Sequence, residues 1–100
     1  MYVKPNTQTM ANFKPQVTYV TEQSQRDYWN SPSYARKSMY IVERFKTYQE
    51  LLKKLPVILE DSIDVYVSVV RSKRGQLGEW FEHWQLDAGR KPVIIKQGWN

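Results

Sequence analysis

Arg71-Ser72-Lys73-Arg74 places three cations in four positions, directly before Gly75. Guanidinium and ammonium groups at this density suit phosphate oxygens, and a basic hairpin can follow a nucleic-acid backbone or enter a groove. The plainer account is a strand edge protected by charge, partly neutralised by Glu79 and Glu82. Arg36, Lys37 and Arg44 form a second basic set, with Lys46, Lys53 and Lys54 behind them. Arg90 and Lys91 form a third, in a loop near the C-terminus. The candidate nucleic-acid contacts are therefore Arg36, Lys37, Arg44, Arg71, Lys73, Arg74, Arg90 and Lys91.

A different chemistry is available to Tyr66, Phe81, His83, Ile94 and Lys96. Alternation along the strands that carry them puts these residues on one sheet face, together with Ser68, Val70 and Gln85. Aromatic rings on an uncovered sheet can stack on unpaired bases. The same half-apolar face also suits a protein contact or a sheet-to-sheet homodimer. A third reading folds residues 1–30 over it.

Catalytic and metal chemistry finds no support. His83 is the one histidine and there is no cysteine, so no nitrogen–sulfur metal set can be assembled. Ser68, Asp64 and Asp87 share a side of the hairpin with His83, but no nucleophile-elbow sequence accompanies them. Gly75 and Gly78 lack the strand–loop–helix setting of a phosphate loop. The expectation is a protein that is not an enzyme and needs no cofactor.

The element that must position the basic cluster is a hairpin. From Ile63 to Val70 the chain alternates Ile63, Val65, Val67 and Val69 with Asp64, Tyr66, Ser68 and Val70, a strand pattern rich in β-branched residues. Glu79 to Leu86 carries Trp80, Phe81 and Trp84, which suit a pleated surface. With Gly75-Gln76-Leu77-Gly78 as the loop, Arg74 faces Glu79, Lys73 faces Trp80, Arg71 faces Glu82, Val69 faces Trp84 and Val67 faces Leu86. A third strand, Val93 to Lys96, follows a polar connection from Asp87 to Pro92. Leu86 then meets Val93, Trp84 meets Ile95 and Trp80 meets Trp99. Gln16 to Glu22 is a candidate fourth strand, at an edge if it pairs at all. Tyr28 and Trp29 are expected to pack as lids over one end of the sheet.

The apolar face of this meander needs a cover. Ser31-Pro32 reads as a helix start, because serine caps free amides and proline suits the first helical position. From there Ile41, Phe45, Tyr48, Leu52 and Leu55 recur at spacings of four and three, the signature of an amphipathic helix. Pro56 is expected to end it. Glu50 and Lys54 are expected to pair one turn apart. Val57-Ile58-Leu59 then plugs one end of the core before the acidic turn Glu60-Asp61-Ser62. The predicted fold is α+β: one long amphipathic helix on a three- to four-stranded antiparallel sheet, helix first and meander after.

At 100 residues the chain is expected to be one domain, residues 16–100, preceded by a flexible arm over residues 1–15. The net charge of +5 favours acidic partners. No apolar run approaches the roughly 20 residues a bilayer span needs, and the first residues contain no apolar signal-peptide core. A cytoplasmic protein with no membrane partner is expected. These features favour a small basic nucleic-acid-binding protein, regulatory in role, that uses the hairpin tip and the basic helix face. The alternative is a protein-interaction module that binds an acidic partner or dimerises through the open sheet face.

Overall fold

A computed structural model describes residues 14–100 of the chain. The elements run in the order β1 (Gln16–Thr21), α1 (Glu22–Asn30), a single 3-10 turn (Ser33–Ala35), β2 (Ile41–Arg44), α2 (Tyr48–Asp61), β3 (Ser62–Lys73), β4 (Gln76–Leu86) and β5 (Pro92–Trp99). The strands make one antiparallel sheet in the order β2-β1-β3-β4-β5. The helix α2 packs on one face, and the fold is α+β as expected. Among the described residues the sheet has five strands, and there are two α-helices where one long one was expected.

The helix is the largest correction. Residues 31–55 do not form one helix: they divide into the 3-10 turn, the strand β2 and the first half of α2. A spacing of four residues explains the misreading. Ile41 and Phe45 fall on one face of a helix, but four is also an even number, so they fall on one face of a strand. The intervening residues decide. Ile41 and Val42 are β-branched, and β2 shows strict alternation of half-buried and exposed positions. Its pairing is prolonged by Phe45, whose N–H donates to the Pro15 carbonyl at 2.8 Å.

The true helix start is Thr47, whose hydroxyl accepts the Glu50 N–H at 3.2 Å. Pro56 does not end α2 but lies inside it. Proline in a helix interior costs about 3 kcal/mol through a lost hydrogen bond and a ring clash. Beyond it, Ile58 and Leu59 are almost fully buried in the core. Two such side chains contribute roughly 1.5–3 kcal/mol each, enough to carry the helix through the proline. Ile58 and Leu59 thus plug the core as expected, but from the helix and not from a link.

β1 is an interior strand and not an edge. It lies between β2 and β3, with Val17 opposite both Glu43 and Val67. Val17 and Tyr19 join Leu51, Leu55, Ile58, Leu59, Val65, Val67 and Val69 in the core, and Trp80, Trp84 and Leu86 pack against its rim.

The hairpin register also differs. The turn is the two residues Arg74 and Gly75, with φ of 52° and 79°. Positive φ at both central positions is the two-residue turn whose twist matches the strands it joins. Lys73 therefore faces Gln76, Arg71 faces Gly78, Val69 faces Trp80, Val67 faces Glu82 and Val65 faces Trp84. The shift from the expected pairing is four residues. Because four is even, each side chain keeps its face, which is why the core was foreseen although the partners were not.

β5 keeps the expected Trp80–Trp99 pair. A bulge between His83 and Trp84 then moves Ile94 opposite Trp84 and Pro92 opposite Leu86. Pro92 belongs to the strand and not to the connection.

α1 has a capping box: Thr21 and Ser24 each bond the other's backbone N–H, at 2.9 and 3.0 Å. Trp29 is 62 % exposed and is not a lid over the sheet, whereas Tyr28 is half-buried, and both rings pack against Arg36. No helix of the described residues is long and apolar enough to cross a membrane. The expected flexible arm falls largely on residues 1–13, outside the described residues.

Candidate nucleic-acid interface

The sheet has two chemically different ends. At one end lie the β3–β4 turn and the start of α2. Arg44 is level with Gln16, Ser68 and Phe81 in adjoining strands, and β3 continues past Ser68 to Arg71, Lys73 and the Arg74 turn. Lys14 precedes β1 and Lys46 follows β2 at this same end. All six basic side chains are exposed. With strands about 4.8 Å apart and about 3.3 Å per residue, they span roughly 20 Å.

The opposite end takes the remaining candidates. Arg90 and Lys91 lie in the β4–β5 loop, which is closed by the Asp87 N–H donating to the Lys91 carbonyl at 2.9 Å. Asp87 Oδ1 also accepts the Lys91 N–H at 2.8 Å. Arg36 and Lys37 belong to the excursion between β1 and β2. The Arg36 guanidinium lies 5.3 Å from the Tyr28 ring centroid and 5.1 Å from that of Trp29. The expected basic helix face is not formed, because Arg36, Lys37, Arg44 and Lys46 lie outside any α-helix. Of the helical pair, Lys54 binds Glu43 at 3.0 Å and not Glu50.

Arg71 differs from its neighbours. It reaches the buried Glu82 carboxylate at 3.5 Å and lies between the Tyr48 and Trp80 rings, 5.3 and 5.2 Å from their centroids. Its guanidinium is held in place by these groups. Lys14, Arg44, Lys46, Lys73 and Arg74 make no ion pair among the described residues. Lys73 instead lies 5.5 Å from the Trp99 ring centroid, and the Trp99 indole packs over Gly78, where an added Cβ would come within 3.3 Å of it.

Glu82 is the feature that sequence reasoning missed. It is 2 % exposed, beneath the start of α2. Its oxygens accept from the Tyr48 hydroxyl at 2.7 and 2.9 Å, from Trp80 Nε1 at 3.2 Å and from Trp84 Nε1 at 3.0 Å. Burial, and then the Glu82 carboxylate beside it, push the Tyr48 phenol well above its ordinary range. The signal was present in the alternation: Glu82 stands between Trp80 and Trp84 on the face that must be buried. An acid there requires several donors, and two indoles at two-residue spacing are such donors.

The second candidate surface is the sheet face away from α2. Tyr66, Phe81, His83 and Lys96 share it, because Tyr66 pairs with His83, His83 with Lys96, and Ser68 with Phe81. Ile94 does not, since the bulge puts it opposite Trp84 on the helix side. The Tyr66 and His83 rings stack at 4.3 Å between centroids with 22° between planes. Ser68 has Phe81 as its partner, and its hydroxyl donates to Glu79 at 2.7 Å. No cluster of three or more potential metal ligands occurs among the described residues. Comparison with protein-family models, with curated proteins and with solved structures finds no match to this chain.

Proposed function

We propose that this chain is a nucleic-acid-binding protein, not an enzyme, whose primary contact is the hairpin end of the sheet. The observation that carries the reading is the set of five exposed cations there that make no ion pair among the described residues: Lys14, Arg44, Lys46, Lys73 and Arg74. They are spread over roughly 20 Å of rigid sheet end, a spacing that suits a row of phosphates better than one small anion. Arg71 stiffens the hairpin that presents Lys73 and Arg74.

The test is a titration with duplex and single-stranded oligonucleotides across a range of salt. Five neutralised phosphates correspond to a log–log salt slope of about −4 to −5 on duplex DNA. Lys73→Gln with Arg74→Gln should weaken binding to every sequence alike and flatten the slope by about 2. Absence of binding at low salt overturns the reading.

A second reading, a protein-interaction module, draws on the excursion between β1 and β2. Trp29, Tyr34 and Tyr40 are 62 %, 91 % and 46 % exposed there, and tyrosine and tryptophan are enriched in protein interfaces. A contact of that kind would be insensitive to salt.

A further inference from the structure

The face opposite α2 is crossed by two rows of paired residues. One row is Val42, Thr18, Tyr66, His83 and Lys96, and the next is Arg44, Gln16, Ser68, Phe81 and Gly98. The charged residues in these rows are Arg44 and Lys96, one near each edge and both basic; the Glu79 carboxylate of the adjoining row is held by the Ser68 hydroxyl at 2.7 Å. Among the described residues no helix packs across these rows: α1 meets the sheet mainly at β1 and buries none of its side chains.

The ring geometry specifies what can dock. The 4.3 Å separation of Tyr66 and His83 is close to the strand spacing of about 4.8 Å. The stack therefore runs across the strands, with both rings standing on the sheet. Its free ends lie over Thr18 on one side and Lys96 on the other. Thr18 is small, so a planar group can stand on it against the outer face of Tyr66. In the next row Phe81 leans across Gly98, where an added Cβ would lie 3.5 Å from the ring.

We infer that this face binds single-stranded nucleic acid, with an unpaired base extending the Tyr66–His83 stack and a second base resting on Phe81. The inference builds on the nucleic-acid reading and adds the strand form and a second contact surface. The base over Thr18 and the base on Phe81 are two strands and two residues apart, roughly 12 Å. That is wider than the ~3.4 Å per nucleotide of a stacked helical strand. Bases on the two platforms must be unstacked from each other, which a duplex does not allow. Arg44 and Lys96 flank the platforms where the backbone enters and leaves. A second copy of this chain is disfavoured as occupant, because face-to-face pairing opposes cation to cation at the edges.

The test uses the intact chain with a short oligothymidylate and with a matching duplex, both at low salt. With isotope-labelled protein, a filtered NMR spectrum shows the oligonucleotide signals alone. The thymine H6 ring protons should move upfield as bases stack on Tyr66 and Phe81 in the oligothymidylate, and the duplex signals should stay in place. Tyr66→Ala should lower oligothymidylate affinity about tenfold and leave duplex affinity unchanged. If both forms bind and the thymine ring-proton signals do not move, the platform is wrong and the hairpin-end reading stands. If neither form binds, both fall. A dimer that Tyr66→Ala dissociates would put a second copy on this face and overturn the inference. The ring-proton measurement needs no variant, so it decides the matter even if Tyr66→Ala fails to fold.

Discussion

The Tyr48 hydroxyl lies 2.7 and 2.9 Å from the two oxygens of Glu82 and shares its single proton between them. This contact joins the first residue of α2 to the middle of β4, and so fixes the helix on the sheet. The two indoles that flank Glu82 on its own strand complete the shell, and Arg71 closes it toward solvent. The side-chain oxygens and nitrogens in this buried cluster all have partners.

Glu82→Ala should destabilise the fold by about 3–5 kcal/mol, since it strands one hydroxyl and two indole N–H groups in the interior. Glu82→Gln keeps the shape but points an amide donor at existing donors, and should cost roughly 2 kcal/mol. Urea unfolding of both variants measures this. Near-equal stability of Glu82→Ala and the parent would mean the cluster does not anchor α2.

Two tyrosines make the fold sensitive to alkali. Burial, reinforced by Glu43, pushes Tyr19 up to about 12, and burial with Glu82 pushes Tyr48 further. Both favour the neutral phenol in the folded state, so their contribution is full below the unfolded value of about 10 and is lost as pH rises above it. Tyrosinate absorbance should therefore show a late fraction that appears together with unfolding. A single transition near pH 10 in a chain that stays folded would contradict this.

Glu43 acts at the other extreme. Burial opposes its charge, but the Lys54 ammonium at 3.0 Å and the Tyr19 hydroxyl at 2.8 Å outweigh that and lower its carboxyl below the usual range. Its contribution is present above the ordinary carboxylate pKa of about 4.3 and is lost as pH falls through the lowered value. Glu43→Gln should flatten the acid limb of a stability–pH profile and, by removing the charge that reinforces the Tyr19 shift, also make the alkaline limb shallower.

Pro56→Ala should stabilise the protein by about 1–3 kcal/mol, because it restores an interior helix bond and removes the ring clash. Pro56 is exposed, so no core contact is lost. A higher urea midpoint with an unchanged slope is the expected result.

Arg74→Asn separates turn geometry from charge. Asparagine tolerates the positive φ of this position better than arginine, so stability should rise by roughly 0.5 kcal/mol. Removal of one cation should at the same time flatten the nucleic-acid salt slope by about 1. Gly75→Ala, at φ 79°, should destabilise by about 1 kcal/mol and leave the salt slope unaltered.

Local pattern was enough for β3 and for the buried face of the meander. Val65, Val67, Val69, Trp80 and Trp84 lie where alternation placed them, because parity survives any even slip of register. The same parity kept Tyr66, Phe81, His83 and Lys96 together on the open face. Ile94 escaped because a bulge changes parity, and nothing in Val93-Ile94-Ile95 marks which residue is the extra one. The basic tip was legible as composition, whereas its company was not. Lys14, Arg44 and Lys46 reach it only because β1 inserts between β2 and β3.

Amino-acid order was enough for the runs of β3 and β4, the faces their side chains take, the basic tip and the need for a helical cover. Those properties depend on residues a few positions apart, and period-two alternation and charge density record them. Tertiary structure alone decided where the helix begins, that it continues through Pro56, and that an acid sits under it. Each depends on energy gained far along the chain: Ile58 and Leu59 buried against the sheet, Phe45 paired to Pro15, and Glu82 satisfied by Tyr48 from another element. Local preference differs from these alternatives by only a few kcal/mol, so burial and hydrogen bonding between distant segments set the outcome.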